Sequence, residues 1–394
     1  MTTSNGWLGT RAANLKPSPT LAITSKAAEL KAAGHDVISL SAGQPDFDTP
    51  EHICEAGHQA IREGKTRYTP AAGTKELREA AATLMRETTG HGYEANQIIV
   101  TCGAKQALYN TFFVTLSDND AVVIPAPCWV TYPAQVELCG GVPRVVPPQK
   151  DGALDLDALA AQCEGARAIV FCNPSNPTGQ VLQQHELQAI GELAKRHDML
   201  VIADEIYSEL IYDDSGFIPF LQACPELADR TVCIQGVSKS SAMTGWRIGF
   251  AAAPPEIAKS MAAFMSQTTS NPSSIAQWAA LAAITEDRRF MAGWLESFAR
   301  RRNLLVDGVR AIEGIECRKP EGAFYAFPDV RGLIEKKGCA DDMELAERLL
   351  NEALVAVVPG TPFFAPGHIR LSYATSDEAL EAATTRIARW ASEP

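Results

Sequence analysis

The apolar run Ala168-Ile169-Val170-Phe171, which leads through Cys172 into the turn Asn173-Pro174-Ser175-Asn176-Pro177-Thr178-Gly179, indicates how this chain folds. Six further runs of the same kind follow one another, separated by amphipathic stretches: residues 98–101, 121–124, 144–146, 199–203, 231–235 and 248–252. Short β-rich runs that alternate with helical patterns are typical of a largely parallel sheet covered by helices. The sequence therefore predicts an α/β fold with a mostly parallel, seven-stranded sheet.

The two ends of the chain have a different pattern. The pattern of the N-terminal part predicts a helix over 24–33 and a short strand over 37–40. The pattern of the C-terminal part predicts a helix after residue 300, followed by a second helix over 343–353 and by apolar runs over 323–327, 355–358 and 369–373. A chain of 394 residues also exceeds one ordinary compact core. We therefore expect a large domain of residues 46–300 and a smaller α/β domain built from both termini, residues 12–45 and 301–394.

Composition excludes several classes of function. The net charge of −12 would repel the phosphates of a nucleic acid, and no block rich in lysine and arginine offsets it. No apolar run reaches the length of a membrane span, and the polar start is unlike a signal peptide. The ten cysteines contain no C-x-x-C pair. We expect no metal site, no membrane or nucleic-acid partner, and reduced thiols in a cytoplasmic protein.

In parallel sheets, ligands bind beyond the carboxyl ends of the strands, and polar clusters follow several of the predicted strands. The turn after the run at 168–171 contains prolines and a glycine, which leave the amides of Asn173 and Asn176 as positioned hydrogen-bonding groups. A single Asn-Pro pair would be an ordinary turn. Two such pairs within seven residues at one strand end indicate a binding site.

A carboxylate and a lysine follow two further strands. Asp204 comes directly after the run at 199–203, where a buried charge needs a partner such as the protonated ring nitrogen of a cofactor. Taken alone, Asp204 is equally suited to capping a helix. Lys239 follows the run at 231–235, and a lysine at an enclosed strand end can form a Schiff base, whereas the alternative is a solvated surface lysine. Arg247, eight residues later, suits a phosphate.

A fourth cluster, Thr101-Cys102-Gly103-Ala104-Lys105-Gln106, joins a strand to a helix predicted over 106–116. Small residues at a helix start leave backbone N–H groups free for a phosphate, although such turns are common without a ligand. A phosphate cradle, a carboxylate for a ring nitrogen, an amide and a Schiff-base lysine together describe pyridoxal phosphate. The protein would position this cofactor and tune its ring.

Several motifs resemble class-I aspartate aminotransferases of the bacterial I-b subgroup, which are fold-type-I pyridoxal-phosphate enzymes. These motifs are A-G-x-P-D-F-D-T-P near the N-terminus, N-P-x-N-P-T-G, D-E-I-Y and S-K-x-x-x-M-T-G-W-R-I-G. The resemblance extends from about Leu15 to the sequence Arg370-Leu371-Ser372-Tyr373-Ala374. It implies a transaminase that moves an amino group between an amino acid and a 2-oxo acid, both small-molecule substrates.

The resemblance also implies roles for individual residues. Lys239 would hold the cofactor as a Schiff base and then move the proton between the substrate Cα and the cofactor. Asp204 would pair with the ring nitrogen, Asn176 and Tyr207 would bind the ring hydroxyl, and Trp129 would stack on the ring.

The phosphate and the substrate would have their own ligands. The implied phosphate ligands are Arg247, the N–H groups of Gly103, Ala104 and Lys105, and Tyr68 of a neighbouring subunit. The role of Tyr68 implies a homodimer with shared active sites. The implied α-carboxylate ligands are Arg370, the Gly43 backbone and Asn176.

Two positions depart from the family pattern, and the arginine that binds the distal carboxylate in the better-known subgroup has no counterpart here. Gly236 stands where the better-known subgroup has a phosphate-binding serine, and Cys128 stands where the I-b subgroup usually has a tyrosine. No arginine near residues 270–272 matches the reader of the distal carboxylate in the better-known subgroup. A lysine placed like Lys105 has that role in the I-b subgroup, which favours aspartate or glutamate as the substrate. Prephenate is a second possible amino acceptor, and a solvated helix-start lysine is the other interpretation.

Other classes of protein fit less well. Gly64-Lys65-Thr66 could mimic a nucleotide-binding P-loop, but Gln59 stands where that motif needs glycine and the preceding segment, 51–63, predicts a helix. The sequence Gly236-Val237-Ser238-Lys239-Ser240 lacks the closing glycine of a serine hydrolase. A non-catalytic binding protein would not need Lys239 and Asp204 at neighbouring strand ends. A pyridoxal-phosphate enzyme that catalyses elimination, replacement or transfer to prephenate or aromatic substrates stays open.

Overall fold

A computed structural model describes Trp7 and residues 19–149, 152–213 and 216–393. Leu15, where the family resemblance begins, and residues 12–18 of the predicted smaller domain lie outside the described residues. In the described part of the chain, no helix is both long enough and apolar enough to span a membrane.

The described strands are β1 (Ile38–Ser39), β2 (Ile98–Thr101), β3 (Ala121–Pro125), β4 (Val142–Val146), β5 (Ala166–Cys172), β6 (Leu200–Asp204), β7 (Thr231–Gly236), β8 (Gly249–Ala252), β9 (Tyr325–Ala326), β10 (Val355–Ala356), β11 (Val358–Pro359) and β12 (Ile369–Ser372). The described α-helices are α1 (Pro19–Ala32), α2 (Glu51–Arg62), α3 (Lys75–Thr89), α4 (Ala104–Thr115), α5 (Thr131–Leu138), α6 (Leu156–Gln162), α7 (Gln184–Arg196), α8 (Phe220–Ala223), α9 (Val237–Ser240), α10 (Pro255–Gln267), α11 (Ser274–Thr285), α12 (Phe290–Arg310), α13 (Arg331–Lys337), α14 (Asp342–Glu352) and α15 (Asp377–Ser392). Short 3₁₀ turns lie at Ala95–Gln97, Pro225–Arg230 and Thr361–Phe363.

The largest sheet has seven strands in the order β2-β8-β7-β6-β5-β3-β4. Strand β8 runs antiparallel to both of its neighbours, and the other neighbouring strands are parallel. Helices cover both faces: along β6, Val201 and Ala203 join one buried apolar cluster and Ile202 joins another on the opposite face. The prediction of an α/β fold with a mostly parallel seven-stranded sheet is confirmed.

Two smaller sheets bring together the ends of the chain. Strand β1 pairs in parallel with β10, so residues 38–39 lie beside residues 355–356. Strands β11, β12 and β9 form an antiparallel sheet. These sheets form the smaller α/β part that was expected from both termini. Helix α12 continues through residue 300, so the proposed limits of the two domains stay a prediction.

Helix α4 begins two residues before the predicted start of 106, and this difference matters for the site. Gly103 precedes the helix with a φ of 85°, a conformation that glycine adopts without a steric penalty. The tight turn at Gly103 allows Ala104 and Lys105 to form the first turn of the helix. Their N–H groups therefore have no carbonyl partner in a preceding helical turn.

Candidate active site

The carboxyl ends of β5, β6 and β7 meet at one edge of the large sheet. The strand register places Cys172 beside Asp204, and Asp204 beside Ile234. A cavity of about 480 Å³ opens at this edge. The predicted site residues that line it are Gly43, Ala104, Lys105, Trp129, Asn176, Asp204, Tyr207, Lys239, Arg247 and Arg370.

Lys239 lies in the short helix α9, just beyond β7. Its Nζ donates a hydrogen bond of 2.6 Å to the carbonyl oxygen of Gly43. Burial lowers the pKa of Lys239 to about 8, and the positive charges of Arg370 and Arg247 act in the same direction. A substantial fraction of this amine is therefore neutral near physiological pH and able to act as a nucleophile or a base.

Asp204 is the last residue of β6, and its side chain is buried. Its Oδ2 accepts a hydrogen bond of 2.6 Å from the hydroxyl of Tyr132, and its Oδ1 accepts one of 3.3 Å from the backbone N–H of Ile206. Burial raises the pKa of Asp204 to about 6, and the bond from Tyr132 opposes that rise. The carboxylate therefore gains from a cationic partner inside the cavity.

Tyr325 and the buried Arg370 belong to the smaller sheet, and Tyr207, which follows β6 of the large sheet, contacts Tyr325. The hydroxyl groups of Tyr207 and Tyr325 are 3.0 Å apart and hydrogen-bonded. Burial raises the pKa of Tyr207 well above its usual value, so its hydroxyl keeps its proton. The guanidinium of Arg370 lies 4.5 Å from the centre of the Tyr325 ring, a cation–π distance.

Arg370 extends from β12 and is held by groups that are distant in sequence. Its Nη1 donates to Asn176 Oδ1 at 2.9 Å, and its Nη2 donates to the carbonyl oxygen of Ser41 at 3.1 Å. The Nε of this buried arginine has no hydrogen-bond partner among the described residues. Burial lowers the pKa of Arg370, although arginine stays protonated in proteins. The site thus holds a fixed cation with donor capacity to spare, which suits a carboxylate.

The start of helix α4, strand β8 and Arg247 approach one another very closely. A Cβ on Gly103 would lie 2.6 Å from Arg247 Nη2, and a Cβ on Gly249 would clash with the backbone nitrogen of Ala104. Arg247 donates to the carbonyl oxygens of Thr244 at 2.9 Å and Cys102 at 3.1 Å. The packing therefore brings a guanidinium to the N-terminus of a helix, an arrangement that binds phosphate.

Lys105 and Trp129 lie side by side at the cavity. The Lys105 Nζ is 4.8 Å from the centre of the Trp129 ring. The backbone carbonyl of Lys105 accepts a 2.9 Å hydrogen bond from Gln135 Nε2, which ties the start of helix α4 to helix α5. Burial and the charge of Arg247 lower the pKa of Lys105. The residue as a whole nevertheless reaches solvent, so its partly desolvated ammonium can meet a ligand that enters from solvent.

Two predicted residues do not line the cavity within this chain. Gly103 lies beneath the start of helix α4, where its contribution is the turn described above. Tyr68 is 89% exposed, which leaves its side chain open to contact with another molecule. Its reach into a neighbouring subunit stays a prediction.

The structure shows the surroundings of Gly236 and Cys128, the two positions that depart from the family pattern. A Cβ on Gly236 would lie 2.9 Å from the Cα of Gly249, so strands β7 and β8 leave no room for a serine side chain here. Cys128 is buried and lines a second cavity of about 280 Å³, which shares Tyr132, Cys172 and Asn176 with the first. Its N–H donates to the carbonyl of Phe363 at 3.2 Å.

Sequence reasoning missed several residues that hold the site together. Tyr132 positions Asp204, and Tyr325 contacts both Tyr207 and Arg370. Ser41 contributes only its carbonyl oxygen, which no side-chain pattern can reveal. For Tyr132, one signal was present: it lies three residues after Trp129, which the family motifs had already placed at the ring.

The charges that line the cavity are strongly unequal. Among its described lining residues, Lys105, Lys239, Arg247 and Arg370 are cations and Asp204 is the one carboxylate. Such a surface can bind a ligand that carries a phosphate and a carboxylate together with one cationic group for Asp204.

Comparisons with known proteins agree with this chemistry. A model of the family "Aminotransferase class I and II" matches residues 35–387. An aspartate aminotransferase of Geobacillus stearothermophilus is 46% identical over 386 residues, which cover 97% of this chain and 98% of that protein. An aspartate/prephenate aminotransferase of Thermus thermophilus is 44% identical, with 97% and 98% of the two chains covered.

Solved structures show the same fold. The aspartate aminotransferase of Thermus thermophilus with maleate has a TM-score of 0.92 and 42% identity, and the similarity covers 97% of this chain and 99% of that one. The enzyme from Rhizobium meliloti has a TM-score of 0.92 and 38% identity, with 98% of each chain covered. The resemblance found in the sequence motifs is therefore confirmed. The chain belongs to the class I and II aminotransferases and is a pyridoxal-phosphate-dependent transaminase, which moves an amino group between an amino acid and a 2-oxo acid.

Proposed function

We propose that this transaminase acts on a dicarboxylic amino acid such as aspartate or glutamate, and that Lys239 carries its pyridoxal phosphate. The observation that carries the proposal is the set of four cations around a single buried carboxylate in one cavity. A cofactor phosphate, a substrate α-carboxylate and a substrate side-chain carboxylate would together place three anionic groups there. The four cations and the free helix start can neutralise them.

The residues present fit the cofactor. Arg247 and the N–H groups at the start of helix α4 form a cradle too tight for a Cβ at Gly103, and this cradle would hold the phosphate. Asp204 would pair with the ring nitrogen, since burial of its charge favours a cationic partner. Asn176 and Tyr207 would bind the ring hydroxyl, and Trp129 would stack on the ring.

The chemistry then follows from the residues around the substrate. When bound, pyridoxal phosphate supplies the electron sink that stabilises negative charge at the substrate Cα. Lys239 would hold the cofactor covalently through Nζ. Once released, the Nζ would take the proton from the substrate Cα and give it to the cofactor. Its lowered pKa, about 8, suits that exchange near neutral pH.

Arg370 and Lys105 would divide the recognition of a dicarboxylic substrate. Arg370 has an unused Nε and is fixed by Asn176, so it would bind the α-carboxylate with help from the Gly43 backbone. Lys105, exposed beside Trp129, would bind the second carboxylate. The relatives support this substrate class, because they are named for aspartate or for aspartate and prephenate, and one was solved with the dicarboxylate maleate. Prephenate, also a dicarboxylate, is the second candidate acceptor.

A half-reaction screen with a matched variant tests the substrate class. Conversion of the cofactor from its pyridoxal to its pyridoxamine form is followed by absorbance with aspartate, glutamate, aromatic amino acids and alanine. The reverse conversion is followed with prephenate. A charge-assisted hydrogen bond is worth roughly 1.5–3 kcal/mol, so Lys105→Ala should lower kcat/KM for aspartate about tenfold to a hundredfold and leave alanine almost unchanged. Equal losses for aspartate and alanine would show that Lys105 does not bind the second carboxylate.

We also propose that the protein is a cytoplasmic homodimer in which Tyr68 reaches the phosphate of the neighbouring subunit. Support comes from the 89% exposure of Tyr68, which is large for an aromatic side chain. Mixing inactive Lys239→Ala with a weak Tyr68→Phe variant should restore some complete sites. An active monomer, identified by light scattering, would contradict the shared site.

A further inference from the structure

Residues 41–47, which we call the bridging segment, contact both sides of the active-site cavity. At one end, the carbonyl of Ser41 accepts from Arg370 Nη2 at 3.1 Å. Two residues later, the carbonyl of Gly43 accepts from Lys239 Nζ at 2.6 Å. Gln44 adds a side-chain contact, because its Oε1 lies 3.3 Å from Thr244 Oγ1. One short piece of backbone therefore touches the cations on both sides of the cavity.

The other end of the bridging segment is fixed to helix α12. Asp46 Oδ1 accepts a 2.9 Å hydrogen bond from Arg301 Nη1. The ring of Phe47 stacks on Trp294 with centroids 4.6 Å apart and an angle of 3° between the planes. The Arg301 guanidinium also lies 5.3 Å from the centre of the Phe47 ring. Both attachments belong to α12, and neither contains a residue that lines the cavity.

Arg301 joins two carboxylates that are 331 positions apart in the sequence, at residues 46 and 377. Its Nε donates to Asp377 Oδ1 at 3.2 Å, and Asp377 is the first residue of helix α15. The Arg301 side chain is 10% exposed, against 27% for Asp46 and 28% for Asp377. An arginine this far from water needs both partners, because a buried cation that loses one is left poorly compensated.

We propose that Arg301 is a positioning residue for the substrate carboxylate site. The Asp46–Arg301–Asp377 group holds the bridging segment against the cavity, and the segment in turn keeps the Ser41 carbonyl on Arg370 and the Gly43 backbone at the cavity. Loss of the group frees the segment and lowers the affinity for every amino acid. The Gly43 carbonyl would leave Lys239, but the backbones of Lys239 and Asp204 are held by the large sheet and helix α9, and in the holoenzyme the covalent bond to the cofactor would hold the Lys239 side chain. The inference rests on the proposed role of Arg370 and Gly43 in binding the α-carboxylate.

A purely structural role for the same group has a different signature. If Arg301 served only to attach α15 to α12, its loss would lower the temperature of unfolding without changing how substrate binds. The two roles separate when KM and kcat are compared, because binding that is equal in the ground and transition states changes KM alone. Backbone amide hydrogen exchange in residues 41–47 provides a second readout that does not depend on turnover.

Asp46→Ala in the holoenzyme is the main variant, and Arg300→Gln is its matched control. Arg300 bonds the same Asp377, at 2.6 Å, but its side chain is 58% exposed and it does not contact Asp46. We expect Asp46→Ala to raise KM about tenfold for aspartate and for alanine alike, with kcat within about twofold of the unchanged chain. Amide exchange in residues 41–47 should become faster in Asp46→Ala and stay as it was in Arg300→Gln.

Arg301→Lys extends the test, since lysine keeps the charge but cannot form the planar fork to two carboxylates. It should raise KM in the same way as Asp46→Ala. Unchanged KM and unchanged exchange in Asp46→Ala, with only a lower unfolding temperature, would overturn the proposal. If the unmodified protein does not transaminate aspartate, the proposed substrate fails, but the exchange comparison still decides whether Asp46 and Arg301 hold the segment.

Discussion

The two sides of the active-site cavity are built in different ways. On the large sheet, Asp204 is the last residue of β6 and Lys239 lies in the short helix that follows the adjacent strand β7, so their positions follow from local strand and turn geometry. On the smaller part, Arg370 is oriented by Asn176 and by the Ser41 carbonyl, which are 194 and 329 positions away in the sequence. The first side depends on backbone register and the second on long-range hydrogen bonds.

This difference assigns separate tasks to the two sides. The groups on the large sheet would act on the reacting atoms, so their loss should lower turnover. The groups on the smaller part would bind substrate, so their loss should lower affinity for every amino acid. Substitutions on each side can therefore confirm or break the division.

The largest effect is expected from Lys239→Ala. Alanine removes the amine that is proposed to hold the cofactor and to move the Cα proton, so turnover should fall by at least about 10³-fold. Arg247 and the start of helix α4 are untouched, so the protein should still bind pyridoxal phosphate. Stopped-flow absorbance measures the half-reaction, and a dialysed sample measures the retained cofactor. Turnover within tenfold of the unchanged protein would remove Lys239 from the chemistry.

Asp204→Asn should have the next largest effect. The amide cannot hold a protonated ring nitrogen by charge, so turnover should fall by about 10²- to 10³-fold with a modest loss of cofactor. Glu205→Gln is a matched control: Glu205 is also buried, but it does not line the cavity and its Oε1 accepts from the N–H of Phe220 at 2.7 Å. Near-normal kcat in Asp204→Asn would mean that the carboxylate is structural.

Arg370→Lys tests the proposed substrate-binding role of the smaller part. Lysine cannot offer the planar pair of donors, so kcat/KM should fall about tenfold to a hundredfold for aspartate, glutamate and alanine in equal proportion. Steady-state kinetics with each amino acid measures the effect. A loss confined to dicarboxylic substrates would place Arg370 at the side-chain carboxylate instead, and the division between the two sides would be wrong.

Tyr132→Phe should have the smallest effect on turnover, and this effect should be seen in the pH dependence of kcat. In its proposed role Asp204 must be ionised, and activity is lost as pH falls through its pKa, which a cationic ring partner would lower from the value of about 6 that burial gives. The Tyr132 hydroxyl stabilises the ionised form, so its removal raises the pKa of Asp204 and moves the acid limb of the kcat profile to higher pH. Well above that limb, kcat should stay close to its original value. An acid limb that did not move would show that another group controls it.

The predictability of the molecule follows the same division between its two sides. The strands of the large sheet and the polar residues beyond them can be predicted from the sequence, because apolar runs and turn residues are local signals. The lining positions of Arg370 and Gly43 were expected only from family motifs, since no local pattern links residues 43 and 370. Tyr132, Tyr325 and the Ser41 carbonyl were missed because their contacts arise only when the chain folds. Helix α4 begins two residues before its predicted start, because the conformation of Gly103 determines where the helix begins.

The proposed role of Lys239 can be tested by locating the covalent bond between the protein and pyridoxal phosphate. The yellow holoenzyme is reduced with borohydride, digested, and mapped by mass spectrometry. We expect the reduced cofactor on Lys239, the amine just beyond β7 whose pKa burial lowers to about 8. A cofactor found on any other lysine, such as Lys105 at the start of helix α4, would contradict it.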